Sequence, residues 1–164
     1  MKNKALIIID LQKGLNSFGT GLFQLPEVLN GVNQRIIEYR KHDSPIIFIQ
    51  HEDEDLVFNT DNWQLFDELD DRDTDFYIGK THANAFYQTS LKELLDKLSI
   101  TDLEFCGAQT EYCVDTTIRM AHGLGYTCSM KSGLSTTLSN DLLGAKTIIS
   151  HHENLWDQRF LTFI

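Results

Sequence analysis

A three-layer α/β/α domain built on an open, mostly parallel sheet is the fold class this sequence predicts, and two observations predict it. Short β-rich apolar runs alternate with stretches of helical periodicity along the chain. The runs are apolar at successive positions, so both faces of each strand are buried, as in a parallel sheet covered by helices on both sides.

The first run, "ALIII" (Ala5 to Ile9), ends at Asp10. Leu29, Val32, Ile36 and Tyr39 then form a stripe at helical spacing. "PIIFIQ" (Pro45 to Gln50) is a second strand and "DFYIG" (Asp75 to Gly79) a weaker one. Leu91, Leu94, Leu95 and Leu98 mark the next helix, with Ser90 and Glu93 placed as a capping box. "LEFCG" (Leu103 to Gly107) precedes a helix carrying Val114, Thr117, Ile118 and Ala121. "YTCSM" (Tyr126 to Met130) precedes a last helix through Leu142, Ala145 and Ile149, with Ser139 as its cap. Both prolines, Pro26 and Pro45, fall where an element begins. Residues 1–164 therefore form a single domain, without repeat or linker. The least regular segment, Glu52 to Thr74, is acidic and contains Trp63 and Phe66; a solvated loop is expected there, or a lid.

Bulk properties exclude several function classes. Net charge is -10, from 24 acidic and 14 basic residues, and no basic patch is visible, so neither nucleic acid nor an anionic membrane is expected as a partner. No apolar stretch approaches the roughly 20 residues of a spanning helix. The N-terminal run ends at an acid and lacks a small-residue cleavage site, so it is a strand and not a signal peptide. Three cysteines without a Cys-x-x-Cys pair argue against a disulfide framework or a thiolate zinc site and suit a reducing compartment, the cytoplasm.

Ligands of open parallel sheets bind beyond the carboxyl ends of the strands. The first strand delivers Asp10 there, the second Gln50 and His51, the weak strand Gly79 and Lys80, and "LEFCG" leads through a turn to Cys113. An acid ending a buried strand is costly without a cationic partner, which favours a functional role for Asp10. Cys113, in the first turn of its helix, is expected to have a lowered thiol pKa. Cys106 and Cys128, inside strands, are expected to be small core residues.

The stretches "ALIIIDLQKG", "IGKTHANAF" and "CGAQTEYCVDTTIRMAHGLGY" resemble, in that order, the motifs of the isochorismatase-like cysteine hydrolases, a family that includes nicotinamidases, N-carbamoylsarcosine amidohydrolases and isochorismatases. The resemblance covers nearly the whole chain and implies a Rossmann-like isochorismatase-type fold. It implies a catalytic triad of Asp10, Lys80 and Cys113, with oxyanion donors from the backbone of Gln109 and Cys113 and a non-proline cis peptide within Ala108 to Thr110. Cysteine attack on an amide-type carbonyl and a thioester intermediate would follow. Gln12, Leu15, Phe18, His51, Trp63, Phe86 and Tyr112 are candidates to line the pocket for a small-molecule substrate. A homo-oligomer, dimer or tetramer, is implied as well.

Two departures stand out. Metal-binding members carry an Asp-x-His pair, whereas "QHEDED" places the histidine first, so neither a catalytic metal nor another cofactor is expected; His82, His151 and His152 are surface or helix-end residues. "KSGLSTT" (Lys131 to Thr137) lacks an acid that relatives often carry. Alternative readings are isochorismatase-type vinyl-ether hydrolysis, which relies on the acid and not the thiol, and a non-enzymatic ligand-binding or redox-responsive protein.

Overall fold

A computed structural model describes residues 3–164. Among these, six strands form one parallel sheet in the order β3-β2-β1-β4-β5-β6. The elements along the chain are β1 (Lys4–Ile9), a 3-10 turn (Lys13–Ser17), α1 (Leu25–Lys41), β2 (Ile46–His51), β3 (Phe76–Lys80) and α2 (Leu91–Lys97). Then come β4 (Asp102–Ala108), a π-helical turn (Thr110–Val114), α3 (Asp115–Gly123), β5 (Thr127–Thr136), α4 (Ala145–Trp156) and β6 (Thr162–Phe163). The α/β class is as the sequence predicts.

Alternation along β1 divides the core. Ala5, Ile7 and Ile9 join Leu91, Leu95, Ile118 and Trp156 from α2, α3 and α4 in one buried cluster. Leu6 and Ile8 join Val28, Val32, Ile36 and Tyr39 of α1 in another, with Cys106. The central sheet is thus covered on both faces, which is why its strands are apolar throughout. Cys106 is fully buried and Cys128 nearly so, each within a cluster.

Several local expectations need correction. Ser90 sets no side-chain hydrogen bond on α2, because its backbone (φ -86, ψ 8) is not the extended conformation that aims an N-cap hydroxyl at the first turn; Thr89 Oγ1 instead accepts from the Leu91 N–H at 3.3 Å. Leu142 is 89% exposed and precedes α4, which begins at Ala145; Ser139 still serves that helix start, accepting from the Ala145 N–H at 3.0 Å. β5 runs on through most of "KSGLSTT" to Thr136 after a register shift against β4, and β6 was not foreseen, being only two residues long.

The segment Glu52 to Thr74 is fastened at many points. Leu56, Leu65, Phe66 and Leu69 are buried, and Leu65 pairs with Gln12 in an antiparallel bridge. Backbone hydrogen bonds join Lys13 to Gln64, Gly14 to Asn62 and Phe66 to Leu11. Lys13 adds ion pairs to Asp61 and Asp67, and Arg40 holds Asp70. Acidic composition here marks a solvated outer surface over a packed underside.

One glycine sets the spacing between β1 and β4, two of the strands whose ends carry the site. Gly107 has φ +128, and a Cβ there would lie 2.1 Å from the Ile9 carbonyl oxygen. Both the dihedral and the approach exclude a side chain. Gly107→Ala is expected to lower stability by more than about 3 kcal/mol, since left-handed strain alone costs about 1–3 kcal/mol; urea unfolding followed by far-UV circular dichroism measures it.

Candidate active site

Four chain segments end at one edge of the sheet. β1 stops at Asp10, whose φ of +48 turns the chain out of the strand, a conformation that Asp tolerates better than most residues. Its carboxyl group is buried at 2% exposure. β2 and β3 end side by side at His51 and Lys80, which are register partners. β4 ends at the Ala108–Gln109 cis peptide, and the π-helical turn that follows carries Cys113. Thr110 in that turn is fully buried and donates to Ser135 Oγ at 3.1 Å, tying the turn to β5.

Lys80 is the hub. Its side chain is fully buried, and Nζ lies 2.7 Å from Asp10 Oδ2, 3.0 Å from His51 Nδ1 and 3.3 Å from Cys113 Sγ. An ammonium has three protons, so each can go to one of these acceptors. Asp10 Oδ1 is buried and has no hydrogen-bond partner among the described residues. A carboxylate oxygen of Asp10, a ring nitrogen of His51 and Cys113 Sγ lie within 4.8 Å of one another, a set that could surround a cation. The cation they surround is the Lys80 ammonium. Both ring nitrogens of His51 have a polar neighbour, Nδ1 the Lys80 ammonium and Nε2 the Asp53 carboxylate, whose Oδ2 is 3.2 Å away.

Electrostatics at Cys113 reverse the expectation drawn from its helix start. Burial pushes the thiol up to about 12, the Asp10 carboxylate adds to the rise, and Lys80 opposes both. Desolvation of the charged sulfur outweighs what the short turn supplies, so the resting group is a thiol that needs a base. His51 moves the other way: burial and the Lys80 charge push its pKa down, against Asp10 and Asp53.

The remaining candidates divide. Gln12 is fully buried and does not face a ligand, because its amide is consumed by the backbone: Nε2 donates to the carbonyls of His51 (2.9 Å) and Trp63 (2.8 Å), and Oε1 accepts from the His51 N–H at 2.7 Å. Phe86 is a core residue, 9% exposed, with its ring stacked on Tyr126. Leu15 packs partly buried against the α1 side of the core, and Trp63 meets the exposed Phe58 edge to face. Phe18 and Tyr112 are exposed, Tyr112 in the same turn as Cys113. Gln109 directs its side chain toward Thr137, while its carbonyl accepts from the N–H groups of Tyr112 and Val114. His82 and His151 are exposed, and His152 bonds the Ile148 carbonyl within α4, so none joins the centre. Asp53 was not singled out from sequence; the signal was its place two residues beyond His51 at a strand end.

Comparison with known proteins agrees with this fold. Residues 4–145 match the family model described as an isochorismatase domain. A crystal structure of an isochorismatase family protein superposes with a TM-score of 0.98 at 58% identity, covering 100% of this chain and 99% of the other. The isochorismatase family protein YwoC of Bacillus subtilis (strain 168) is 30% identical over 84% of this chain and 79% of its own. Nicotinamidase 3 of Arabidopsis thaliana is 24% identical over 86% and 77%, and streptothricin hydrolase of Streptomyces noursei 25% identical over 75% and 46%. A pyrazinamidase of Pyrococcus horikoshii, described in complex with zinc, shares the fold at a TM-score of 0.85 and 17% identity, covering 99% of this chain and 98% of that one. Sheet, strand-end residues and sequence match together place this hydrolase in the isochorismatase-like cysteine hydrolase family.

Proposed function

We propose that the chain hydrolyses a small amide or carbamoyl C–N substrate through Asp10, Lys80 and Cys113, by way of a thioester. The observation that supports this best is the asymmetry of the Asp10 carboxylate. Oδ2 holds the buried ammonium, Oδ1 is buried with no hydrogen-bond partner among the described residues, and the carboxyl group lies beside a thiol that needs a base. Such an oxygen suits transfer of the Sγ proton as sulfur attacks the carbonyl carbon. When the proton moves, the negative partner of Lys80 changes from carboxylate to thiolate with no change of net charge, and the ammonium already touches both. A preset charge of this kind needs no reorganisation during the reaction. Asp10 then returns the proton to the leaving nitrogen as the C–N bond breaks, and water hydrolyses the thioester. Backbone N–H groups of Gln109 and Cys113 are the proposed oxyanion donors, and Leu15, Phe18, Trp63 and Tyr112 the proposed pocket residues. That two relatives are by name a nicotinamidase and a streptothricin hydrolase supports C–N chemistry.

The test is a panel of primary amides and carbamoyl compounds, with ammonia release as readout and intact mass after acid quench. Turnover accompanied by an acyl adduct mapped to Cys113 is expected. Isochorismate turnover without any adduct, and no ammonia from the panel, would overturn the reading in favour of vinyl-ether hydrolysis.

A further inference from the structure

We propose that His51, backed by Asp53, is a positioning residue that holds the Lys80 ammonium in register with Asp10 and Cys113; this rests on the triad reading above. A lysine head group on a flexible stem has three protons to place, and here it is fully buried. Asp10 and Cys113 accept two. Without a third acceptor one N–H would be buried and unpaired, and the ammonium would rotate or shift to satisfy it. His51 Nδ1, 3.0 Å away, is that acceptor, and it is delivered by strand register, since His51 and Lys80 are direct partners between β2 and β3.

To accept at Nδ1 the imidazole must be neutral and carry its proton on Nε2. Asp53 favours that tautomer, because its carboxylate Oδ2 lies 3.2 Å from Nε2 and attracts a proton held on that nitrogen. The carboxylate is itself held: Oδ1 accepts from the backbone N–H groups of Asp55 (2.9 Å) and Leu56 (2.8 Å), which leaves Oδ2 for the histidine. A purely structural role is served by other atoms of the same residue, because the bracing bonds to Gln12 use the His51 backbone. The groups facing the ring are Lys80 from β3, Asp10 from the end of β1, Cys113 from the π-helical turn and Asp53 from the loop after β2. Protonating His51 would turn its acceptor into a donor pointed at an ammonium.

The experiment compares wild type with His51→Ala, His51→Asn, Asp53→Asn and Lys80→Met. Iodoacetamide labelling of Cys113 is followed by peptide mapping between pH 6 and 9, and His51 is titrated by side-chain 1H–15N NMR. His51→Ala should slow Cys113 labelling about 10-fold or more, the usual effect of removing a residue that orients a reacting group. His51→Asn, whose Oδ1 can stand in for Nδ1, should restore most of the rate and remove any histidine step from the pH profile. Wild-type His51 should show the Nε2–H tautomer and a midpoint below the ordinary value of about 6.5. The midpoint should fall further in Asp53→Asn, which removes a charge that raises it, and rise in Lys80→Met. Wild-type labelling in His51→Ala while Lys80→Met is slowed, or an Nδ1–H tautomer in the wild type, overturns the role of His51 and leaves the triad standing. Wild-type labelling in Lys80→Met overturns the triad reading itself. Should His51→Ala fail to fold, the wild-type tautomer and the Asn variant still decide.

Discussion

Cys113→Ala is expected to reduce turnover of any C–N substrate by roughly 10,000-fold or more, the scale seen when a covalent nucleophile is removed from its catalytic unit. Its stability should fall by only about 1–3 kcal/mol, the cost of leaving one buried Lys80 N–H without its sulfur acceptor, so the variant still folds. Cys113→Ser should be nearly as inactive. A hydroxyl is a far weaker acid than a thiol, so its proton is much harder to remove as the oxygen attacks. The pair of variants separates the proposed chemistry from its rivals. Isochorismate turnover that survives both variants but not Asp10→Asn would make the carboxylate the working group and the sulfur a bystander. Ammonia release that survives Cys113→Ala would remove the thioester altogether. Thermal scans alongside the assays keep a folding defect from being mistaken for a chemical one.

Lys80→Met should cost both activity and stability, and the stability loss is the more diagnostic. Lys80 and Asp10 are an ion pair with side chains 0% and 2% exposed. Removing one member of such a pair leaves an uncompensated buried charge and costs about 3–5 kcal/mol. For a chain of this length that corresponds to a drop in melting temperature of roughly 10 °C. The double variant Asp10→Asn, Lys80→Met removes both charges, so most of the stability should return while activity stays absent. Differential scanning calorimetry on the three proteins reads the cycle directly. If Lys80→Met melts like wild type, the ammonium is not buried against Asp10 as described, and its control of the thiol must be abandoned with it.

Much of the fold was legible because its strands and helices differ in period. β1, β2 and β4 are buried on both faces, and α1 shows its stripe from Leu29 to Tyr39 without interruption. β6 was not legible, since two residues carry no periodicity, and the second half of β5 was hidden by the exposed, polar Lys131, Ser132 and Gly133 at its centre. Asp10, Lys80 and Cys113 stood out as chemistry-bearing residues at or just beyond strand ends. Gln12 and Phe86 were misread for one reason: residue type says that a side chain can face a ligand, but only packing says whether the backbone or the core has already claimed it. The pKa of Cys113 was misjudged because a sequence shows the helix start and not the depth at which it lies.

The order of strands across the sheet has a final consequence. β3, β2, β1 and β4 lie next to one another, and their ends supply Lys80, His51, Asp10 and the turn bearing Cys113 in that same spatial order. Positions separated by up to 103 residues of chain thus become neighbours only through strand pairing. The stretch from β1 to β3 carries Asp10, His51 and Lys80, but the sulfur arrives only when β4 pairs with β1. Function here is all or none in the sense that folding is, and a variant that loosens any one of these three strand pairings removes the whole constellation and not one member of it.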